Sequence, residues 1–292
     1  MKAAERQAII ALPIIIAIGA AIAWAGSQGG VTVGRLPLFA LCGLISFGIN
    51  WLVFVHAYTA QTERFFDLTG SITYITLVCV ALLLANAPGP RAWLIAAMVA
   101  VWAVRLGSFL FSRISRSGAD GRFDVLKTSF PRFLMTWTLQ GLWVLLTLAC
   151  GLAAITTNAP VPLGGYALAG GLIWAAGLAI EVTADRQKTR FRADAANRDR
   201  FIESGLWAWS RHPNYFGEIM LWLGIAVIAL PVLSGWQYAT LISPVFVFVL
   251  LTRVSGVPLL EARGKKKWGD DPGYQAYCER TPVLFLRPPT AS

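Results

Sequence analysis

From Asp185 to Glu218 the chain reads DRQKTRFRADAANRDRFIESGLWAWSRHPNYFGE, its longest polar run, in a sequence that is 56% hydrophobic. Seven cations stand in it: Arg186, Lys188, Arg190, Arg192, Arg198, Arg200 and Arg211. The run closes on Arg211-His212-Pro213-Asn214-Tyr215-Phe216-Gly217-Glu218 and passes straight into an apolar stretch. Pro213 suits the first turn of a helix, where its missing N–H is not needed. The free N–H groups and the dipole at that end favour an anion, and Arg211 and His212 stand immediately before it. Asn214 and Glu218 are four apart and share a face; so do Arg211 and Tyr215 if the helix begins early. Gly217 lets a ligand or a neighbouring helix approach closely. A loop of ordinary topological cations accounts for the charge. It does not account for the Arg-His-Pro-Asn-Tyr cluster, whose aromatic and amide groups suit stacking on, and hydrogen bonding to, a nucleotide. The expected chemistry is a grip on a phosphate-bearing cofactor at a membrane surface.

A second set of polar residues enters an apolar stretch. Glu63, Asp67, Ser71 and Tyr74 follow one another at spacings of four, four and three, which stacks them on one helical face. Two readings stand. Carboxylates at a helix start suit the dipole. Alternatively the face is the wall of a polar pocket, where low dielectric keeps a carboxyl protonated so that it donates a hydrogen bond or proton; Tyr74 can do the same. Charge inside a span costs at least about 2.5–3.5 kcal/mol at its centre, so Arg105 and Arg253 also need partners. Glu181 and Asp185 share one face at the end of another apolar stretch.

The elements that carry these groups are membrane spans. Charged residues make up only 14% of the chain and mean hydropathy is +0.60, which excludes an ordinary soluble domain. Eight stretches reach the roughly 20 residues needed to span a bilayer: about 8–25, 36–59, 67–86, 91–111, 132–156, 163–184, 214–233 and 237–260. The expected fold is an all-α multi-span bundle with a cytoplasm-facing cofactor cavity. The net charge of +10 is topological and implies no nucleic acid. One side collects Lys2, Arg6, Arg64, Arg113, Arg116, Arg122, Lys127, Arg132, the central seven, and Arg263, Lys265, Lys266, Lys267, Arg280 and Arg287; the other has Arg35 and Arg91. By the excess of cations in cytoplasmic loops, both termini are cytoplasmic, and the first stretch reads as a retained anchor rather than a cleaved signal. Cys42, Cys79, Cys150 and Cys278 have no metal or disulfide spacing, and with His56 and His212 the only histidines, no metal site is expected. No GxGxxG follows a strand and no P-loop is present. The tail from Arg263, with Trp268, Tyr274, Tyr277 and Phe285, is expected to fold back on the cytoplasmic face.

The segments EVTADRQKTRFR, NRDRFIESGLWAWSRHPNYFGE and YQAYCERTPVLFL, with ERFFDLTGSITYI, VWAVRLGSFLFSRI and GADGRFD upstream, resemble the steroid 5-alpha-reductase C-terminal family, and more narrowly its bacterial branch, DUF1295. The resemblance covers about residues 60–287. It divides the chain into anchor helices over 1–60 and the family domain over 61–292. It implies a membrane reductase, of the bacterial inner membrane, that holds NADPH and delivers hydride to an activated C=C bond of a lipid-like substrate. By position, Asp185, Arg192, Arg200, Asn214 and Arg253 match the family's cofactor contacts. Arg211, His212, Tyr215 and Glu218 belong to the same motif, and Asn197 lies within it. The substrate-activating acid maps to Asp67, with Glu63 or Tyr74 as alternatives. Two positions depart from the steroid enzymes: Glu181 stands where they have Asn, and Trp102 where they have the Tyr that helps activate the enone. The Arg-His-Pro-x-Tyr-x-Gly cluster with the later Glu261 is also similar to isoprenylcysteine and phospholipid methyltransferases, which implies S-adenosylmethionine instead. Arginine density between 185 and 200 favours the reductase.

Overall fold

A computed structural model describes residues 3–117, 121, 123–159 and 161–289, with 113–117 as backbone alone. Lys2, Arg122 and residues 118–120 of the GADGRFD segment lie outside the described residues. Of the described residues, 76% are helical. Among the described residues, eight segments are long and apolar enough to cross a membrane, which makes this an all-α, multi-span membrane protein and bears out the eight stretches read from the sequence. The helices are α1 (Ala3–Gly26), α2 (Leu38–Thr59), α3 (Phe66–Leu84), α4 (Pro90–Ser117), α5 (Phe130–Ile155), α6 (Gly165–Ala193), α7 (Pro213–Ala229), α8 (Ile242–Val249), α9 (Val257–Trp268) and α10 (Pro272–Arg280). A two-residue hairpin, β1 (Thr32–Val33) with β2 (Leu36–Pro37), joins α1 to α2; its turn needs Gly34, at φ +61°.

The chain forms two compact units, Met1–Ala167 with Ile228–Ser243, and Leu168–Val227 with Pro244–Ser292. In the first, α5 is the hub. It packs against α1, α2, α3 and α4, and from Leu142 to Ile155 nearly every side chain is buried. Polar groups inside the bundle bond across helices, as they must where water is absent: Ser46 Oγ donates to Gly141 O at 2.8 Å and Trp51 Nε1 to Thr138 Oγ1 at 3.0 Å. At one end Ser129 Oγ donates to Glu5 at 3.1 Å and Lys127 pairs with Glu63 at 3.1 Å. At the other end Val31 N–H donates to Thr156 O, and Arg91 binds carbonyls of Ile228 and Pro162. Connections thus alternate between the two ends as the span count requires.

In the second unit α6 and α7 lie antiparallel with glycine against backbone. A Cβ on Gly177 would meet Gly217 O at 2.6 Å, one on Gly217 would meet Gly177 O at 2.6 Å, and one on Gly224 would meet Gly170 O at 2.6 Å. Small residues let helix backbones approach this closely in lipid.

The eighth span is not one regular helix. After α8 the chain widens into a π-helical turn, Leu250–Val254, breaks at Ser255–Gly256 and resumes as α9. Ser255 N–H reaches back five residues to Leu250 O at 2.9 Å. Gly256 is fitted tightly there, since a Cβ would meet Leu251 O at 2.6 Å and the Tyr215 ring at 2.8 Å.

Candidate functional site

The second unit gathers the Arg-His-Pro-Asn-Tyr cluster at the start of α7. His212 is 4% exposed. Its Nε2 lies 2.8 Å from Glu261 Oε1, and Arg211 Nη1 lies 2.7 Å from Glu261 Oε2. A carboxylate accepting from Arg211 can only accept from His212 as well, so Nε2 carries the proton and donates. Burial lowers the His212 pKa, against the opposing pull of Glu261 and assisted by the positive charges of Lys188 and Arg211. The neutral imidazole then offers a bare lone pair on Nδ1. The ring stacks on Tyr215, with centroids 5.6 Å apart and planes at 12°. Tyr215 in turn rests on Gly256 in the break before α9, and α9 carries Glu261.

Three buried polar atoms at this place have no hydrogen-bond partner: Arg211 Nε, His212 Nδ1 and Asn214 Oδ1. Asn214 sits in the first turn of α7 and Glu218 one turn later. On α6, Asp185 and Glu181 are both buried. The glycine register carries Glu181 alongside α7, where a Cβ on Gly217 would lie 2.7 Å from Glu181 N. Gly217 thus serves the neighbouring helix, one of the two uses its sequence context allows.

The C-terminal segment straps the run that leads into α7. Arg211 N–H donates to Pro282 O at 2.9 Å, Ser210 Oγ to Leu284 O at 2.8 Å and Arg287 N–H to Trp209 O at 3.0 Å. Tyr277 OH donates to Trp207 O at 2.8 Å, and burial raises its pKa so that it stays a donor. Trp268 Nε1 donates to Asp199 O at 2.6 Å. The tail folds back onto 198–211, as its aromatic content suggests.

Three further cationic positions, Arg192, Arg200 and Arg253, are exposed. Arg192 is exposed, with Nη1 3.5 Å from Arg198 O and its guanidinium 5.7 Å from the Trp268 ring. The side chains of Arg200 and Arg253 are exposed and make no ion pair among the described residues; Arg253 lies in the π-helical turn. Asn197 Nδ2 donates to Phe191 O at 3.2 Å and so ties its own loop. No described contact joins these four to the Arg211–His212–Glu261 group.

Glu63, Asp67 and Tyr74 belong to the first unit. α3 begins at Phe66, so Glu63 lies before the helix and is not part of its face. It is 7% exposed and held by Lys127. The hydrogen bonds that Lys127 donates to Asp124 and then to Glu63 raise its pKa, which keeps that clamp charged. Asp67 is half-buried in the first turn, where the dipole favours a carboxylate. Ser71 and Tyr74 continue its face and are buried. A Cβ on Gly107 would meet Ser71 Oγ at 2.7 Å, so α4 runs hard against this face. Trp102 meets Tyr74 edge-on, with centroids 5.1 Å apart at 86°.

Residues 53–281 match the family described as a protein of unknown function, DUF1295. The chain belongs to the DUF1295 family. No curated protein and no solved structure matches it. Glu261, which anchors both residues ahead of α7, is the site residue that motif reading leaves outside the reductase set. In the sequence it stands as a lone carboxylate between Leu-Leu and a basic run, marked only by the resemblance to the methyltransferases.

Proposed function

We propose that this DUF1295 protein is an NADPH-dependent membrane reductase that transfers a hydride to an activated C=C bond of an enone or enoyl lipid, in a bacterial inner membrane. The observation that carries the reading is the trio of buried, unpartnered polar atoms ahead of and within the first turn of α7. Buried polar groups in native proteins find partners, so Arg211 Nε, His212 Nδ1 and Asn214 Oδ1 fit one donor-and-acceptor ligand. The arginines of the same motif fit a ligand that bears phosphates. The resemblance of the chain's motifs to the steroid 5-alpha-reductase C-terminal family supports the choice.

NADPH supplies the hydride when bound. Arg192, Arg200 and Arg253 would hold its phosphates. Asp185, Asn197, Asn214 and Glu218 would hydrogen-bond and orient it, Tyr215 would offer a stacking face, and Arg211 and His212, fixed by Glu261, would meet it. Asp67 is the acid. Its carboxyl hydrogen-bonds the substrate carbonyl oxygen as negative charge builds there. Tyr74, held edge-on by Trp102, is the alternative donor, and Glu63 the third candidate. An apolar bundle keeps water from that oxygen.

A second reading, S-adenosylmethionine-dependent methyl transfer, draws on the direct Glu261 contacts to Arg211 and His212, because Glu261 belongs to the motif shared with membrane methyltransferases. Ligand binding to detergent-solubilised protein separates the two. Saturable NADPH binding that weakens in Arg192→Ala and Arg200→Ala supports reduction. S-adenosylmethionine binding without NADPH binding replaces it with methyl transfer.

A further inference from the structure

We propose a second site, independent of the reductase reading, in which Arg91 binds an oxyanion: the phosphate of a membrane phospholipid or free phosphate. Arg91 lies at the start of α4 and is 4% exposed. Its Nη1 donates to Ile228 O at 2.6 Å and its Nη2 to Pro162 O at 2.8 Å, while Nε is buried without a partner. Every acceptor it meets is a neutral carbonyl. The connections at this end of the first unit, 27–37, 85–91, 156–162 and 231–237, contain no Asp or Glu at all. A buried cation without a counter-charge is strongly unfavourable.

A cavity of about 120 Å³ lies beside it, lined by Asn86, Gly89, Arg91, Thr157 and Asn158 among others. At roughly 30 Å³ per water, that is room for a few waters or one tetrahedral oxyanion. The N-terminal dipole of α4 adds to the attraction. Trp24 and Trp236, with ring centroids 5.5 Å apart and planes tilted at 53°, and Trp93 are exposed at the same end of their spans, as aromatics at the headgroup level are. A phosphate carried on acyl chains therefore suits the place.

The test uses full-length protein in a neutral detergent, titrated with short-chain phosphatidate, the matching diacylglycerol or inorganic phosphate at constant ionic strength, with the thermal midpoint as readout. Phosphatidate is expected to raise the midpoint and diacylglycerol to leave it unchanged. A rise with inorganic phosphate alone assigns the same site to the free anion. Arg91→Gln removes the response but also the three carbonyl bonds, to Ile228, Pro162 and, at 3.5 Å, Val161. Asn86→Asp is therefore the sharper variant: exposed and in no hydrogen bond among the described residues, it adds a carboxylate to the cavity wall while leaving Arg91 intact. It is expected to fold normally and to weaken phosphatidate about tenfold, because the added carboxylate repels the phosphate. An undiminished response in Asn86→Asp, or no response of the unsubstituted protein to either phosphate, overturns the site.

Discussion

Glu261 accepts from both residues that precede α7, so one carboxylate orders the Arg211 fork and fixes the His212 tautomer. Glu261→Gln must turn an N–H toward one of two donors. It is expected to cost about 1.5 kcal/mol, the low end for a charge-assisted bond because the side chain is 31% exposed. Thermal unfolding in detergent checks this, and cofactor affinity should fall with it. His212 sets a pH dependence. Its folded pKa lies below its ordinary 6.5, so as pH falls through about 6.5 the unfolded chain takes up the proton first. Stability from this group is complete above that pH and declines below it. The slope of thermal midpoint between pH 7.5 and 5.5 should flatten in His212→Gln; an unaltered slope removes His212 as its source. Asp67→Asn is expected to leave NADPH affinity near normal and abolish turnover, and unchanged turnover would strip Asp67 of its role as the acid. At this scale the sequence exposes Arg211, His212 and Asn214 as a cluster, because they are neighbours in the chain. The partnership with Glu261 spans 49 residues, and no local spacing encodes it.

Glycines decide how the helices of the second unit meet. Gly217 faces Gly177 O with no room for a Cβ, whereas a Cβ on Gly171 would meet nothing within 4 Å. Gly217→Leu should force α6 and α7 apart and cost about 1–3 kcal/mol or more, while Gly171→Leu should be silent. Comparing folded yield and thermal midpoint of the two variants tests the register, and equal behaviour would refute it. The spans themselves are legible as apolar runs of sufficient length. Two details are not. Glu63 has the spacing of a helical face with Asp67, yet α3 starts at Phe66 because Gln61, at φ +50°, turns the chain just before it. The eighth span reads as continuous, but Gly256 against Tyr215 and Pro258 in the first turn of α9 break it after a π-helical turn. Arg253 lies in that π-helical turn and is exposed.

Across the second unit, the C-terminal segment is part of the site's support. Removing residues 282–292 deletes the acceptors for Arg211 N–H and Ser210 Oγ and the Arg287 donor to Trp209. The truncated protein is expected to insert in the membrane normally and to lose cofactor binding. Retained binding at full affinity would show that the strap is dispensable. The fold-back was foreseeable from four aromatics in a polar tail. Its landing place on 198–211 was not, since it depends on backbone carbonyls that every residue possesses.

The amino-acid sequence alone determined that the chain is a bundle of eight membrane-crossing segments, because apolar length answers directly to bilayer thickness. It also singled out the motif before α7, because the capping proline, the cations and the amide are adjacent. Tertiary structure decided which of the motif's atoms are buried and still unsatisfied, which carboxylate holds it, and which arginines stay open. Burial and pairing are sums over neighbours brought from distant parts of the chain, so they exist only once the helices have packed.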